Sequence, residues 1–266
     1  MANTPDHWRE WVTRLPAWIC PRCKEGRLKP AENAPVEVPT ASTKAGRQSP
    51  DWEPDWDEGV FSAIMICDNE KCAEAVTVSG RTSVDVDFNH EGHPFLSTYY
   101  KILFAFPSPV PISMPIHTPD GVKSALIAAA GLLWATPDAA MNKLRQAVEA
   151  FLSAEKIPST TTKKPRGRVR LSLHCRITRY GETPKGLPLA SALLAAKWLG
   201  NAGSHDDGSA SVTRDDVLLA FQVVEHVLDE RYSDRRQKLL QQITAVNKKK
   251  GPVRPTRRKT RVKPPF

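Results

Sequence analysis

Four cysteines fall into two close pairs, Cys20-Pro-Arg-Cys23 and Cys67-Asp-Asn-Glu-Lys-Cys72. A tetrahedral zinc ion held by four thiolates needs two short loops that each present two sulfurs to one centre, and this spacing encodes such loops. Gly26, just after the first pair, permits the close turn that brings backbone donors onto the sulfurs. Cys20, Cys23, Cys67 and Cys72 are therefore read as the ligands of one Zn2+. Four thiolates leave no open position to activate water, so the ion is structural. If one of them were not a ligand, His90 or His93 would replace it. Disulfides are the weaker rival: the first twenty residues hold Trp8, Trp11, Trp18 and mixed charges, unlike the basic start and apolar core of a secretory signal. Cys175, the fifth cysteine, reads as a small core residue on a helix face.

The elements that must position these cysteines are short strands, with Val60 to Ile66, Ala73 to Val78 and Tyr99 to Phe106 as the best candidates. Residues 29–58, rich in Pro, Ala, Ser and Thr, read as an exposed, disordered insertion. It closes on the acidic, Trp-containing run Asp51 to Glu58, a sequence suited to a basic surface of this protein or of a partner. Pro107, Pro109, Pro111 and Pro115 then make a stiff connector, because each ring fixes φ and removes a donor. Beyond it the hydrophobic period changes from two to about 3.6, which marks helices. Thr118-Pro119-Asp120 and Thr136-Pro137-Asp138 each offer a Thr cap with Pro at the first helical position. The first helix carries Leu126, Ala129, Ala130 and Leu133, and the second Met141, Leu144, Val148, Phe151 and Leu152. A third holds Leu173, Ile177 and Tyr180, and a fourth runs from about Pro188 to Asn201. The last starts at Thr213 with help from Asp216 and carries Val217, Phe221, Val224 and Leu228.

The net charge of +9 over 266 residues is not spread along the chain. Residues 247–266 hold Lys248, Lys249, Lys250, Arg254, Arg257, Arg258, Lys259, Arg261 and Lys263 and no acid, which leaves the rest near neutrality. Such a tail cannot bury a core, is expected to be disordered when free, and suits salt-dependent phosphate binding without sequence choice. A second basic stretch, Lys163, Lys164, Arg166, Arg168 and Arg170, could extend the same surface. No run approaches the ~18 apolar residues of a membrane span. A cytoplasmic protein without a membrane partner is expected.

The succession of ribbon, Pro-rich connector and helices containing Leu144-Arg145-Gln146-Ala147-Val148-Glu149 and Ala196-Lys197-Trp198-Leu199-Gly200-Asn201-Ala202-Gly203-Ser204-His205 resembles the prokaryotic domain-of-unknown-function family numbered 4145. The resemblance covers roughly residues 18–235, and its most specific piece is Gly200-Asn201 followed by His205. It implies a place among the HEPN (higher eukaryotes and prokaryotes nucleotide-binding) helical bundles, some of which dimerise or act as metal-independent RNases in defence. In such an enzyme His205 would be the acid or base, Asn201 a donor, and Lys197 or Arg145 the cation. HEPN nucleases carry an Arg where this chain has Gly200. The other reading makes Asn201 and His205 a helix C-terminal cap and Arg145–Glu149 a structural ion pair.

The expected fold class is α+β: a zinc ribbon with a small β-sheet over 1–106, a Pro-rich connector over 107–117, a HEPN-like α-helical bundle of about five helices over 118–246, and a disordered basic tail over 247–266. The expected role is a nucleic-acid-associated, non-catalytic binding or adaptor protein of a prokaryotic defence or regulatory system. The alternative is a metal-independent RNase centred on His205. Expected partners are nucleic acid, a second copy through the helical bundle, and a defence-system protein.

Overall fold

The computed structural model describes residues 5–163, 167–202 and 211–252, the side chains of 5, 163, 201, 202 and 235–237 excepted. The chain is mixed α and β. Its first part is a five-stranded antiparallel sheet of β1 (Leu28–Pro30), β2 (Val36–Pro39), β3 (Glu58–Cys67), β4 (Ala75–Phe88) and β5 (Pro94–Phe106), with helix α1 (Ala41–Gly46) between β2 and β3. β3, β4 and β5 lie side by side, and β1 and β2 share the free edge of β3, Leu28 opposite Cys67 and Val36 opposite Ser62. β3 has a strict period of two: Phe61, Ala63, Met65 and Cys67 are buried and the residues between them exposed.

Residues 29–58, expected to be disordered, are built into this sheet instead. The open edge of β3 supplies hydrogen-bond partners that composition does not reveal, and Val36 to Pro39 pair with Ser62 to Gly59. Thr40 caps α1 by accepting from the backbone of Thr43. The buried Thr43 hydroxyl donates to the Glu58 carbonyl at 2.8 Å and accepts from the Glu58 amide at 2.9 Å. Arg47 pairs with Asp57, so part of the acidic run is answered from within.

The second part contains α2 (Asp120–Leu132), α3 (Pro137–Ala154), α4 (Leu173–Gly181), α5 (Ala190–Ala202), α6 (Arg214–Tyr232) and α7 (Asp234–Lys249), with a hairpin of β6 (Thr160–Lys163) and β7 (Gly167–Arg170) between α3 and α4. The core faces expected for α2, α3, α4 and α6 are buried as read, from Leu126 through Phe151 to Leu228. The helix starts are more varied. α6 begins with a full capping box between Thr213 and Asp216, whereas neither Thr118 nor Thr136 caps; Pro119 stands at the N-cap of α2, and Thr136 donates back to the Leu132 carbonyl at 3.3 Å. Cys175 is exposed, not a core residue: α4 buries Leu173, Arg176, Ile177 and Tyr180, and position 175 falls between those turns. The basic tail also starts later than expected, since α7 carries Lys248 and Lys249 and ends with Lys250 in the left-handed conformation.

One core joins the two parts. Trp8 and Trp18 from the N-terminal segment meet Trp134 from the α2–α3 turn, with ring centroids 5.1–5.9 Å apart. The Trp134 indole donates to Ser108 of the Pro-rich connector, and Ser108 donates to the Ala130 carbonyl. Arg214 fastens the same place. Its guanidinium donates to the carbonyls of Arg9, Ile102 and Trp134, and burial lowers its pKa. The connector is thus packed into the molecule, with Ser108 and Val110 buried.

Candidate functional site

The first cysteine loop is closed by the backbone on both sides. The Cys20 amide donates to the Gly26 carbonyl at 2.8 Å and the Leu28 amide to the Trp18 carbonyl at 2.8 Å, so Ile19 and Arg27 face each other across the loop. Lys24, directly after Cys23, takes φ 62° and turns the chain back. The second loop joins β3 to β4. Cys67 ends β3 and donates its amide to the Glu74 carbonyl, the Asn69 side chain accepts from Lys71 N–H, and Ala73, directly after Cys72, takes φ 46°. Each pair is therefore followed at once by one left-handed residue. β1 pairs with β3 and sets Leu28 opposite Cys67, which brings the loops together. Asp68 locks them, accepting from the Arg27 amide at 2.7 Å and pairing with Lys29 at 3.3 Å.

The result is one cluster. The sulfurs of Cys20, Cys23, Cys67 and Cys72 all lie within 4.8 Å of one another, with Cys20–Cys72 at 3.8 Å and Cys23–Cys67 at 3.7 Å. These separations are far longer than the ~2.05 Å of a disulfide, and all four cysteines are free. Gly26 is required here: a Cβ on it would stand 2.5 Å from the Cys67 sulfur and 2.9 Å from Asn69 Cβ. The electrostatics favour a cation. Donation from the Gly26 and Glu25 amides lowers the Cys23 thiol to about 6, while burial raises Cys20 and pushes Cys67 up to about 12. Thiolates this close repel one another, and a metal ion at their centre would relieve that repulsion. The four cysteines could hold one metal ion. His90 and His93, the alternative ligands, sit at the turn between β4 and β5, where His93 faces Glu91 at 3.6 Å.

The residues considered for catalysis are only partly brought together. Arg145 on α3 lies against Gly200 on α5, where an added Cβ would be 3.5 Å from Arg145 Cβ. Its guanidinium is 3.9 Å from Glu149, which also takes Arg170 at 3.4 Å. Lys197 is buried, with its ammonium 3.3 Å from the centre of the exposed Trp198 ring. Asn201 is in α5, and His205 lies outside the described residues.

The second basic stretch is a two-stranded hairpin, with Thr160 opposite Arg170 and Lys163 opposite Gly167. Arg168 donates to Thr160 at 2.8 Å. Lys164, Arg166, Arg254, Arg257, Arg258, Lys259, Arg261 and Lys263 lie outside the described residues. Lys238, Lys248, Lys249 and Lys250 are exposed. No helix among the described residues is long and apolar enough to cross a membrane.

Sequence reasoning missed Asp68 and the two left-handed residues, Lys24 and Ala73. Asp68 carries a sequence signal only in its place beside Cys67. The left-handed positions carry none, because neither Lys nor Ala is a residue that usually marks such a turn.

No curated protein and no solved structure matches the chain. Two family models do, and the resemblance to family 4145, expected over residues 18–235, is matched only in the helical part. Residues 11–107, with all four clustered cysteines, match a domain of unknown function (DUF8608), and residues 128–251, with the helices from α3 to α7, match a second domain of unknown function (DUF4145).

Proposed function

We propose that this protein is a non-catalytic nucleic-acid-binding or adaptor module of a prokaryotic defence or regulatory system, with a structural zinc ion held by Cys20, Cys23, Cys67 and Cys72. The observation behind the zinc assignment is the shape of the sulfur cluster. Zinc–thiolate bonds of about 2.3 Å in a tetrahedron give sulfur–sulfur edges of about 3.8 Å; the Cys23–Cys67 and Cys20–Cys72 edges are 3.7 and 3.8 Å, and all four sulfurs lie within 4.8 Å of one another. Such an ion cross-links the β1 and β3–β4 loops and leaves no ligand position for a substrate. Elemental analysis should give one zinc per chain, lost in Cys20→Ser plus Cys67→Ser; a metal-free native protein would refute the assignment.

The nucleic-acid reading rests on cations that no acid neutralises. Among the described residues Lys238, Lys248, Lys249 and Lys250 form no ion pair, and α7 leads directly into the remaining tail cations. Phosphates would be met as point charges, with affinity falling steeply as salt rises. Truncation after Lys250 and after Val246, followed by anisotropy against labelled duplex and RNA over a salt series, tests this. Removing one cation that neutralises a phosphate should flatten the slope by about 0.9 on duplex DNA. Unchanged slopes would remove the tail from the interface.

One observation favours the RNase alternative: Arg145 lies beside Gly200, so α3 supplies a cation next to the helix that leads toward His205. RNA cleavage that survives chelation and vanishes in His205→Ala would establish it. The engagement of Arg145 with Glu149 and the burial of Lys197 speak for the non-catalytic reading.

A further inference from the structure

The sheet has two apolar faces, and the described residues cover only one. Pairing register puts Val38 beside Val60, Val36 in line with Ser62, Ser79 and Phe104, and Ile64 in line with Thr77 and Phe106. Ile66 completes this outer face opposite Ala75. The seven large apolar side chains on it, Val36, Val38, Val60, Ile64, Ile66, Phe104 and Phe106, are 40–67% exposed. Isolated apolar side chains at a surface are ordinary, but a continuous face of this kind marks an interaction site.

The borders of the face indicate what covers it. Lys29 is paired with Asp68 and Lys101 with Glu10, both within the chain. On the nine rows where β3 pairs with β4 that leaves Arg81, opposite Val60, and Glu58, opposite Ser83, one of each sign at the same end; Asp85 and Asp87 follow on the same face of β4 where it runs on past β3, Asp87 accepting from the Tyr99 hydroxyl. A polyanion needs an excess of cations, which this face lacks. A balanced, mostly aliphatic surface suits its own copy. Four strands at ~4.8 Å and nine paired positions at ~3.4 Å give roughly 19 by 30 Å in plan. With side-chain relief this nears the ~800 Å² per partner of a standard interface.

We infer that two copies of this chain associate through the outer faces of their sheets, stacked ~10 Å apart about a two-fold axis along the strands. That axis sets Arg81 of each copy toward Glu58 of the other, an isologous pair. This is a different surface from the helical bundle, to which the family resemblance pointed for self-association.

Sedimentation equilibrium of the full zinc-loaded chain over the micromolar range tests it. The wild type should be dimeric. Ile64→Asp plus Phe104→Asp should weaken the dimer by roughly thirtyfold or more, because carboxylates are then buried at its centre, with zinc content and circular dichroism unchanged. Arg81→Glu and Glu58→Arg should each weaken it and together restore it, with the melting temperature of each single variant unchanged, since Glu58 and Arg81 are also diagonal neighbours within one sheet and an intrachain pair would show itself there. The control Leu239→Asp plus Ile243→Asp, on the exposed stripe of α7, should leave it intact. A monomeric wild type, failure of the charge swap to rescue, or dissociation only in the α7 variant would overturn the inference. Sheet variants that stay monomeric like the wild type yet lose RNA binding would reassign the face to nucleic acid.

Discussion

The two parts of this molecule reach stability by different routes. In the helical part, amphipathic helices bury one stripe each against their neighbours, and α2, α3 and α6 alone place Leu126, Leu144, Phe151, Phe221 and Leu228 in the core. In the β part, a sheet with one face outward among the described residues shares its inner core with the tryptophans of the junction and closes one end with four clustered cysteines, two of them only half buried. Loops as polar as Asp68 to Lys71 cannot hold a fixed position by burial, so the four sulfurs and the Asp68 bonds do it. A helix carries its hydrogen bonds internally, whereas a small sheet must recruit its edges and its loops.

The largest expected effect separates the two parts. Removing the metal with a strong chelator, or replacing Cys20 and Cys67 by Ser, should unfold the β part and leave most of the helical dichroism, because structural zinc supplies on the order of 10 kcal/mol. Loss of the whole helical signal would show that the helical part has no independent stability. Next, Trp134→Ala attacks the junction. Truncating a buried Trp costs about 3–5 kcal/mol, and the loss of its packing against Trp8 and Trp18 should split one thermal transition into two. A single, merely lowered transition would mean that other interactions couple the parts.

Gly26→Ala sharpens the contrast within the β part alone. The new methyl meets the Cys67 sulfur, so zinc affinity measured by chelator competition should fall by roughly tenfold to a hundredfold while the helical part keeps its melting behaviour. The smallest effect belongs to α6. Thr213 donors hold Asp216 below the usual carboxylate range. Its contribution is complete above the unfolded value and is lost as pH falls through the lower folded one. Asp216→Asn should cost about 1 kcal/mol near neutrality and remove that part of the acid-side slope, read from urea melts at several pH values. An unaltered slope would place the acid sensitivity elsewhere.

Local patterns made the helices and the cysteine cluster legible. Leu126, Met141, Ile177 and Phe221 fall on stripes at the helical period, and the two Cys pairs announce in their spacing two short loops whose sulfurs can meet, since a helix stripe and such a loop are both defined within a few residues. What depended on distant partners could not be read there. Nothing local reveals that Val36 to Pro39 would find the edge of β3, or that Arg214 would reach three backbone carbonyls from different segments. Val60 to Ile66 is apolar on nearly every residue, so sequence alone could not say which face of β3 is covered. Only the packing of Phe61, Ala63 and Met65 against the core leaves Val60, Ile64 and Ile66 outside, because burial of a strand face is set by the layers stacked on it and not by the strand itself.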